Sequence, residues 1–267
     1  MTKLSISQAW DECRAILARD GKLIGAVALA LFVLPGILLN VVLPRAKAGA
    51  MPQPGVWMAV VLVVLVISFV GQLSIVRLAL GPHITVGEAI AHGARRVLSY
   101  LGAVLIWTVP FLLVGSVLYE TAGADRAQPS VAASLLLLAV SVIGIYVGVR
   151  LILISAVASA EDGGPIAILR RTFALTHGNW WRLFGFMLIF GLGALALLWA
   201  VGSVVGLVAR LTFGDLSPLS VGGLIVIIVS QLISAVVSVV LFVMIARLYA
   251  QSTGQADAQA DVPSTGI

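Results

Sequence analysis

The stretch VWMAVVLVVLVISFVGQLSIVRLAL, residues 56–80, decides the fold of this chain. It is 25 residues long, and its one charged side chain, that of Arg77, lies near its C-terminal end. Crossing the ~30 Å hydrocarbon core of a bilayer takes about 20 helical residues. A segment of this length and apolarity therefore predicts a membrane-spanning helix rather than a helix in the core of a soluble domain.

The rest of the chain repeats this pattern. Apolar residues make up 61% of the sequence and charged residues 10%, whereas soluble domains average about 25% charged residues. We expect an all-α polytopic membrane protein with a single transmembrane domain over residues 1–249. The last residues, 250–267, are polar and predict a disordered cytoplasmic tail. The six predicted spans cover residues 23–43, 56–80, 100–119, 131–158, 183–211 and 219–249.

The basic residues predict the orientation of the chain. Twelve of the 16 Lys and Arg residues lie in the N-terminal segment, around the second and fourth connections, or at the end of the last span. Cytoplasmic loops carry such an excess, so both termini are expected in the cytoplasm. The same distribution accounts for the net charge of +5, so this charge does not indicate a nucleic-acid-binding protein.

Three segments on this side have the spacing of amphipathic helices that lie along the interface: 5–19, 85–98 and 165–177. In the first, Ile6, Trp10, Cys13 and Leu17 share one face, as residues do at helical spacing. In the second, the apolar face is Val86, Ile90, Gly93, Val97 and Leu101. In the third, it is Ile166, Leu169 and Phe173.

These segments also indicate an internal repeat. Ile6, Ile84 and Ile166 open them, and each segment leads into a span that begins with two bulky residues and a glycine. An Arg-Leu pair, starting at Arg77, Arg150 or Arg247, follows toward the end of each even-numbered span. We interpret this as a possible threefold repeat of an interfacial helix plus a helical hairpin.

The string LTHGNWWRLFG, residues 175–185, is the most distinctive motif. Gly178 is suited to end a helix in the left-handed conformation, and Asn179 can cap the next helix through its side-chain oxygen. Trp180 and Trp181 suit headgroup depth, and Arg182 can pair with lipid phosphate. An anchored turn is one interpretation of the string. The other is a headgroup-binding site comprising Arg95, Arg96, Arg170, Arg171, Asn179, Trp180, Trp181 and Arg182.

This string, with the preceding AILRRTF of residues 167–173, resembles the glycerophosphoryl diester phosphodiesterase membrane domain family and its YciC-like relatives. The N-terminal ISQAW, residues 6–10, is similar to the opening of that group. The resemblance implies an integral protein of the bacterial inner membrane with six spans and no established activity. Some members carry a fused phosphodiesterase domain, but its His-Arg-Gly segment does not occur here. We therefore expect no catalytic residues and no enzyme activity.

Small residues within the spans predict close helix packing, because they let helices approach in lipid. A substrate path is the alternative interpretation of these residues. Proton-coupled transport is disfavoured because no Asp, Glu, Lys or His lies near the middle of a predicted span, whereas such carriers need a buried ionisable group. Pro35 and Pro110 are the best hint of a conduit, since paired helix discontinuities occur in transporters. The packing residues are Gly144, Gly148, Gly202, Gly206, Ser230, Ser234 and Ser238.

The sequence predicts a non-enzymatic protein that organises or senses the cytoplasmic leaflet, with membrane lipids, chiefly anionic ones, as its partners. A transporter or channel is the alternative, and an intramembrane enzyme is a distant third. No cofactor or metal is expected, because His83, His92 and His177 are not at ligand spacing. The single cysteine, Cys13, excludes an internal disulfide and is expected to be a small buried residue.

Overall fold

The structure is a computed structural model that describes residues 4–44, 55–81, 84–122, 131–215, 217 and 219–254. Within these residues every regular element is a helix. The elements are α1 (Ile6–Ala28), a π-helical turn (Leu29–Val33), α2 (Leu34–Val42), α3 (Val56–Leu80), α4 (Val86–Ala122), α5 (Val131–Arg150), α6 (Ile154–Ala160), α7 (Pro165–Thr176), α8 (Trp180–Phe213) and α9 (Val221–Ser252).

Six helical segments of the described chain are long and apolar enough to cross a membrane. The predicted number of spans is therefore confirmed. The boundaries differ, however, because two of the segments expected to lie along the interface continue directly into spans. Helix α1 runs through residues 5–19 into the first span, and α4 is one helix from Val86 to Ala122. Only the third segment, α7, is a separate helix.

A π-helical turn interrupts the first span and ends at Val33, two residues before Pro35. Proline has no N–H and cannot donate to the carbonyl four residues earlier, which accounts for the local irregularity there. The turn brings Leu31 and Phe32 against Gly71 of α3, where an added Cβ would lie 2.8 Å from the Phe32 ring. Phe32 also contacts Phe242 of α9, with 5.8 Å between ring centroids. The other internal proline, Pro110, lies within the continuous helix α4.

The fourth span is broken near one end. Helix α5 ends at Arg150, a short turn follows, and α6 covers only seven residues. From Ile154 to Ser159 every residue of α6 is buried, and α6 packs against α3, α4, α7 and α9. The core of the protein therefore lies around α6, at one end of the bundle.

Helices α5 and α8 lie at the periphery and direct large apolar side chains outward. On α8 the exposed fraction is 74% for Ile189, 71% for Trp199 and 78% for Leu211. Water-soluble monomers rarely expose a continuous apolar surface of this kind. An apolar solvent around the bundle, as a bilayer provides, accounts for it.

The glycines predicted to pack helices differ in their surroundings. Gly144 lies against Phe111 of α4, where an added Cβ would be 2.4 Å from the ring. At Gly148, Gly202 and Gly206 an added Cβ would meet nothing within 4 Å. The expected close contact is therefore absent at these three positions of the described structure.

A cleft of about 540 Å³ lies between α8 and α9, and both Gly202 and Ser230 line it. Larger side chains, including Leu198 and Trp199, line the same cleft. Ser234 and Ser238 are half-buried on α9.

The beginning of the predicted disordered tail is helical. Helix α9 continues to Ser252, because Ala250 and Gln251 are buried against the bundle. The Ser5 N–H donates to Oε1 of Gln251 at 3.0 Å, which links the two ends of the described chain. Residues 255–267 of that tail lie outside the described part.

Candidate headgroup-binding site at the basic end

Five helix termini and two short helices meet at one end of the bundle, which we call the basic end. It comprises the start of α1, the end of α3, the starts of α4 and α8, the end of α9, and α6 with α7. Hydrogen bonds between distant parts of the chain hold it together. Seven of the eight residues of the predicted headgroup site belong to these elements, and the eighth, Asn179, immediately precedes α8.

Two acidic residues after α6 organise the basic end. Glu161 accepts from Nε of Arg171 at 2.9 and 3.1 Å and from the Tyr249 hydroxyl at 2.8 Å. Asp162 forms an ion pair with Arg96. The Glu161 carboxylate raises the pKa of Arg171 by accepting this hydrogen bond, so Arg171 stays charged. Both carboxylates thus bind arginines from other elements.

A third ion pair joins the first and last helices. Nε of Arg247, in α9, donates to Oε2 of Glu12, in α1, at 2.5 Å. The side chains are 10% and 23% exposed, so the pair is mostly shielded from water. Cys13, the next residue, is buried as expected, with Sγ 4.0 Å from the Val240 carbonyl oxygen.

Two further arginines bind backbone and aromatic groups. Arg182 donates from Nη1 to the Leu4 carbonyl oxygen at 2.8 Å. Arg150 donates to the Tyr146 hydroxyl at 2.8 Å and to the Phe173 carbonyl oxygen at 3.3 Å. Its guanidinium also lies 5.3 Å from the Tyr146 ring centroid, within the range of a cation–π contact. Arg150 therefore contacts protein groups, and Arg182 has a protein partner for at least one of its donors.

The adjacent tryptophans have different environments. Trp180 stacks on Phe184 with 5.0 Å between centroids, and its Nε1 donates to the Tyr146 carbonyl oxygen at 3.1 Å. Trp181 is 76% exposed. Only Trp181 thus presents most of its ring to the surroundings, and Trp180 fixes α8 against α5.

The turn before α8 agrees in part with the sequence analysis. Gly178 has φ 83°, the left-handed conformation expected of a residue that ends a helix. Asn179 precedes α8, but its side chain makes no capping hydrogen bond. That prediction was wrong: its backbone carbonyl accepts from the N–H groups of Arg182 and Leu183, both at 3.1 Å.

In α7 and α1 the buried face differs from the apolar face predicted from the sequence, whereas in α4 it agrees in part. In α7, Ile166 is 66% exposed, whereas Thr172 and Thr176 are completely buried. Their hydroxyls donate to carbonyl oxygens one turn earlier, at 2.8 and 2.9 Å, which satisfies their polarity within the helix. In α1, Ala9 replaces Trp10 on the buried face, and Trp10 is 45% exposed. In α4, the predicted Gly93 and Val97 are buried.

Two arginines of the predicted site are free of ion pairs to described residues and could contact a headgroup. Arg95 and Arg170 are exposed, and neither takes part in an ion pair between described residues. Nε2 of His92 lies 2.8 Å from the Ser159 carbonyl oxygen, and His83 lies outside the described residues. Among the described residues, no three His, Cys, Asp or Glu side chains form a group that could hold a metal.

Together, six apolar helices and a basic end joined by three ion pairs between different elements define a helical integral membrane protein. The chain belongs to the family described as a domain of unknown function, DUF7847, whose model matches residues 4–252. No curated protein and no solved structure matches the chain. The resemblance to the glycerophosphoryl diester phosphodiesterase membrane domain stays a prediction, because the matched family has no described function.

Proposed function

We propose that this is a non-enzymatic protein of the bacterial inner membrane, with both termini in the cytoplasm, that organises or senses the cytoplasmic leaflet. Its basic end contacts anionic headgroups. The observation that carries the proposal is the division of the arginines there. Arg96 and Arg171 neutralise acidic residues of the protein, whereas Arg95 and Arg170 are exposed and form no ion pair between described residues.

The ion pairs give the exposed cations a fixed platform. Arg95 is next to Arg96, which is bound to the turn after α6, and Arg170 is next to Arg171, which is bound to Glu161. Helices α4 and α7 are thereby attached to the buried helix α6. Two cations on helices that are already ordered can bind phosphate with little further loss of backbone freedom.

Trp181 supports the same placement. Its exposed indole suits the interface, where an apolar ring and a polar N–H are both accommodated. Each Lys or Arg near an anionic surface contributes about 1 kcal/mol. The two exposed arginines together would then strengthen binding of an anionic lipid by about thirtyfold.

The proposal is tested with the full chain, purified in detergent and stripped of lipid. Native mass spectrometry measures its apparent affinity for phosphatidylglycerol and phosphatidylcholine. We expect the double variant Arg95→Gln/Arg170→Gln to lose at least fivefold in affinity for phosphatidylglycerol and to change little toward phosphatidylcholine. The matched control is Arg210→Gln, which removes an exposed arginine from the opposite end of α8. Unchanged phosphatidylglycerol affinity in the double variant would refute the proposal.

A further inference from the structure

A second lipid-facing feature lies at the basic end, apart from Arg95 and Arg170. A groove of about 410 Å³ runs between the first turns of α1, the start of α8 and the end of α9. Phe186 and Met244 are buried and form its floor. Its volume is within the ~300–1,000 Å³ range typical of ligand pockets. The apolar side chains that line it are Ile6, Trp10, Phe186, Ile189, Phe190 and Met244.

The groove opens to the outside of the bundle. Trp10 and Ile189, on opposite walls, are 45% and 74% exposed. In a protein surrounded by lipid, this opening faces acyl chains rather than another helix. A flexible hydrocarbon chain therefore has direct access to it.

Polar groups of opposite charge lie at the rim of this apolar surface. Ser7 and Asp11 of α1 line the groove. Arg182 lies one helical turn before Phe186 on α8, and its Nη1 donates to the Leu4 carbonyl oxygen, just before α1. A guanidinium has five N–H donors, so this bond leaves others that can bind phosphate. The start of α1 adds the positive end of a helix dipole.

We propose that the groove binds one phospholipid whose headgroup carries a primary amine. An acyl chain lies over Phe186 and Met244, the phosphate binds Arg182, and the ammonium group binds Asp11. The choice rests on charge complementarity, because a purely anionic headgroup would leave the Asp11 carboxylate facing a phosphate. A quaternary ammonium group has no N–H with which to donate to Asp11. The inference rests on the proposed membrane function but uses neither Arg95 nor Arg170.

The test uses the full chain, stripped of lipid and offered equal amounts of phosphatidylethanolamine, phosphatidylglycerol and phosphatidylcholine. In native mass spectrometry of the Arg95→Gln/Arg170→Gln chain, which lacks the two arginines proposed to bind anionic lipid, we expect one phosphatidylethanolamine to be retained, at least fivefold over each of the others. Asp11→Asn should abolish this preference over phosphatidylglycerol. Ser7→Trp should fill the groove and reduce binding at least tenfold. The control is Leu211→Trp, which introduces the same side chain at a 78% exposed site near the far end of α8. Its phosphatidylethanolamine binding should equal that of the chain without either tryptophan substitution.

Two results would overturn the proposal: equal retention of the three lipids by the Arg95→Gln/Arg170→Gln chain, or unchanged phosphatidylethanolamine binding by a folded Ser7→Trp variant. Because Arg182 also holds the Leu4 carbonyl oxygen, an Arg182→Gln variant could lose binding through misfolding. Ser7 is exposed, and its replacement leaves the bond between Arg182 and Leu4 in place. Ser7→Trp is therefore the variant that tests whether the groove binds lipid. If Arg95→Gln/Arg170→Gln keeps phosphatidylethanolamine binding but loses phosphatidylglycerol affinity, both proposals stand. If the double variant keeps its phosphatidylglycerol affinity, the proposed function fails. If it loses phosphatidylethanolamine binding, the groove proposal fails.

Discussion

The ion pair between Glu12 and Arg247 should stabilise the fold more than any pair on the surface. Glu12→Gln removes the negative charge and leaves the Arg247 guanidinium, 10% exposed, without its counter-ion. Breaking a fully buried pair costs about 3–5 kcal/mol, and exposed pairs contribute about 0–1 kcal/mol. Since the Glu12 side chain is 23% exposed, we expect a loss of about 2 kcal/mol in the free energy of unfolding.

The assay is equilibrium unfolding in mixed detergent micelles of rising SDS content, with a double-mutant cycle of Glu12→Gln and Arg247→Met. The two single variants should each be destabilised, and the double variant should lose less than their sum. The expected coupling is about 2 kcal/mol, well above the ~0.6 kcal/mol average for hydrogen bonds between membrane helices.

The chain provides a matched control. Arg19 and Asp20 form an ion pair of 2.8 Å, but their side chains are 66% and 26% exposed. The cycle of Arg19→Gln and Asp20→Asn should give a coupling below about 1 kcal/mol. If Glu12 and Arg247 are coupled no more strongly than this exposed pair, the burial argument is wrong.

Two more predictions concern packing around α3, and the same unfolding assay measures both. Gly93→Ala should cost about 2 kcal/mol, because the new Cβ would lie 2.7 Å from the Val70 carbonyl oxygen; Gly87→Ala, in open space on the same helix, should stabilise by about 0.5–1 kcal/mol. Ser155→Ala should stabilise by about 1 kcal/mol, because its buried hydroxyl has no hydrogen-bond partner among the described residues. Ser159→Ala, which loses a hydrogen bond to the Leu73 carbonyl oxygen, should destabilise by a similar amount. The reverse order within either pair would contradict the structure.

The number of spanning helices could be predicted from the sequence because apolar length is a local property. Each span needs only its own run of about 20 residues to be recognised. The positions of helix ends depend on more than hydropathy. Residues 5–19 and 85–98 carry charges, yet nothing in their backbone stops a helix, so α1 and α4 continue into the spans.

The partners of the arginines could not be predicted in the same way. Arg182 was expected to bind lipid phosphate, and the structure adds a protein partner, the Leu4 carbonyl oxygen, 178 residues away in the chain. Glu12 and Arg247 are separated by 235 residues. No periodicity connects such positions, because only the tertiary fold brings them together. The headgroup motif therefore located the basic end. It did not distinguish the arginines that bind other protein groups from Arg95 and Arg170, which form no ion pair between described residues.

The continuity of α4 has a mechanical consequence. Its 37 residues extend over about 55 Å, farther than the ~40–45 Å of a whole bilayer. The helix is continuous through Pro110, so we expect its two ends to move together. Tilting is one way in which a long helix accommodates thinner or thicker lipid, and a tilt of α4 would shift Arg95 relative to the headgroups.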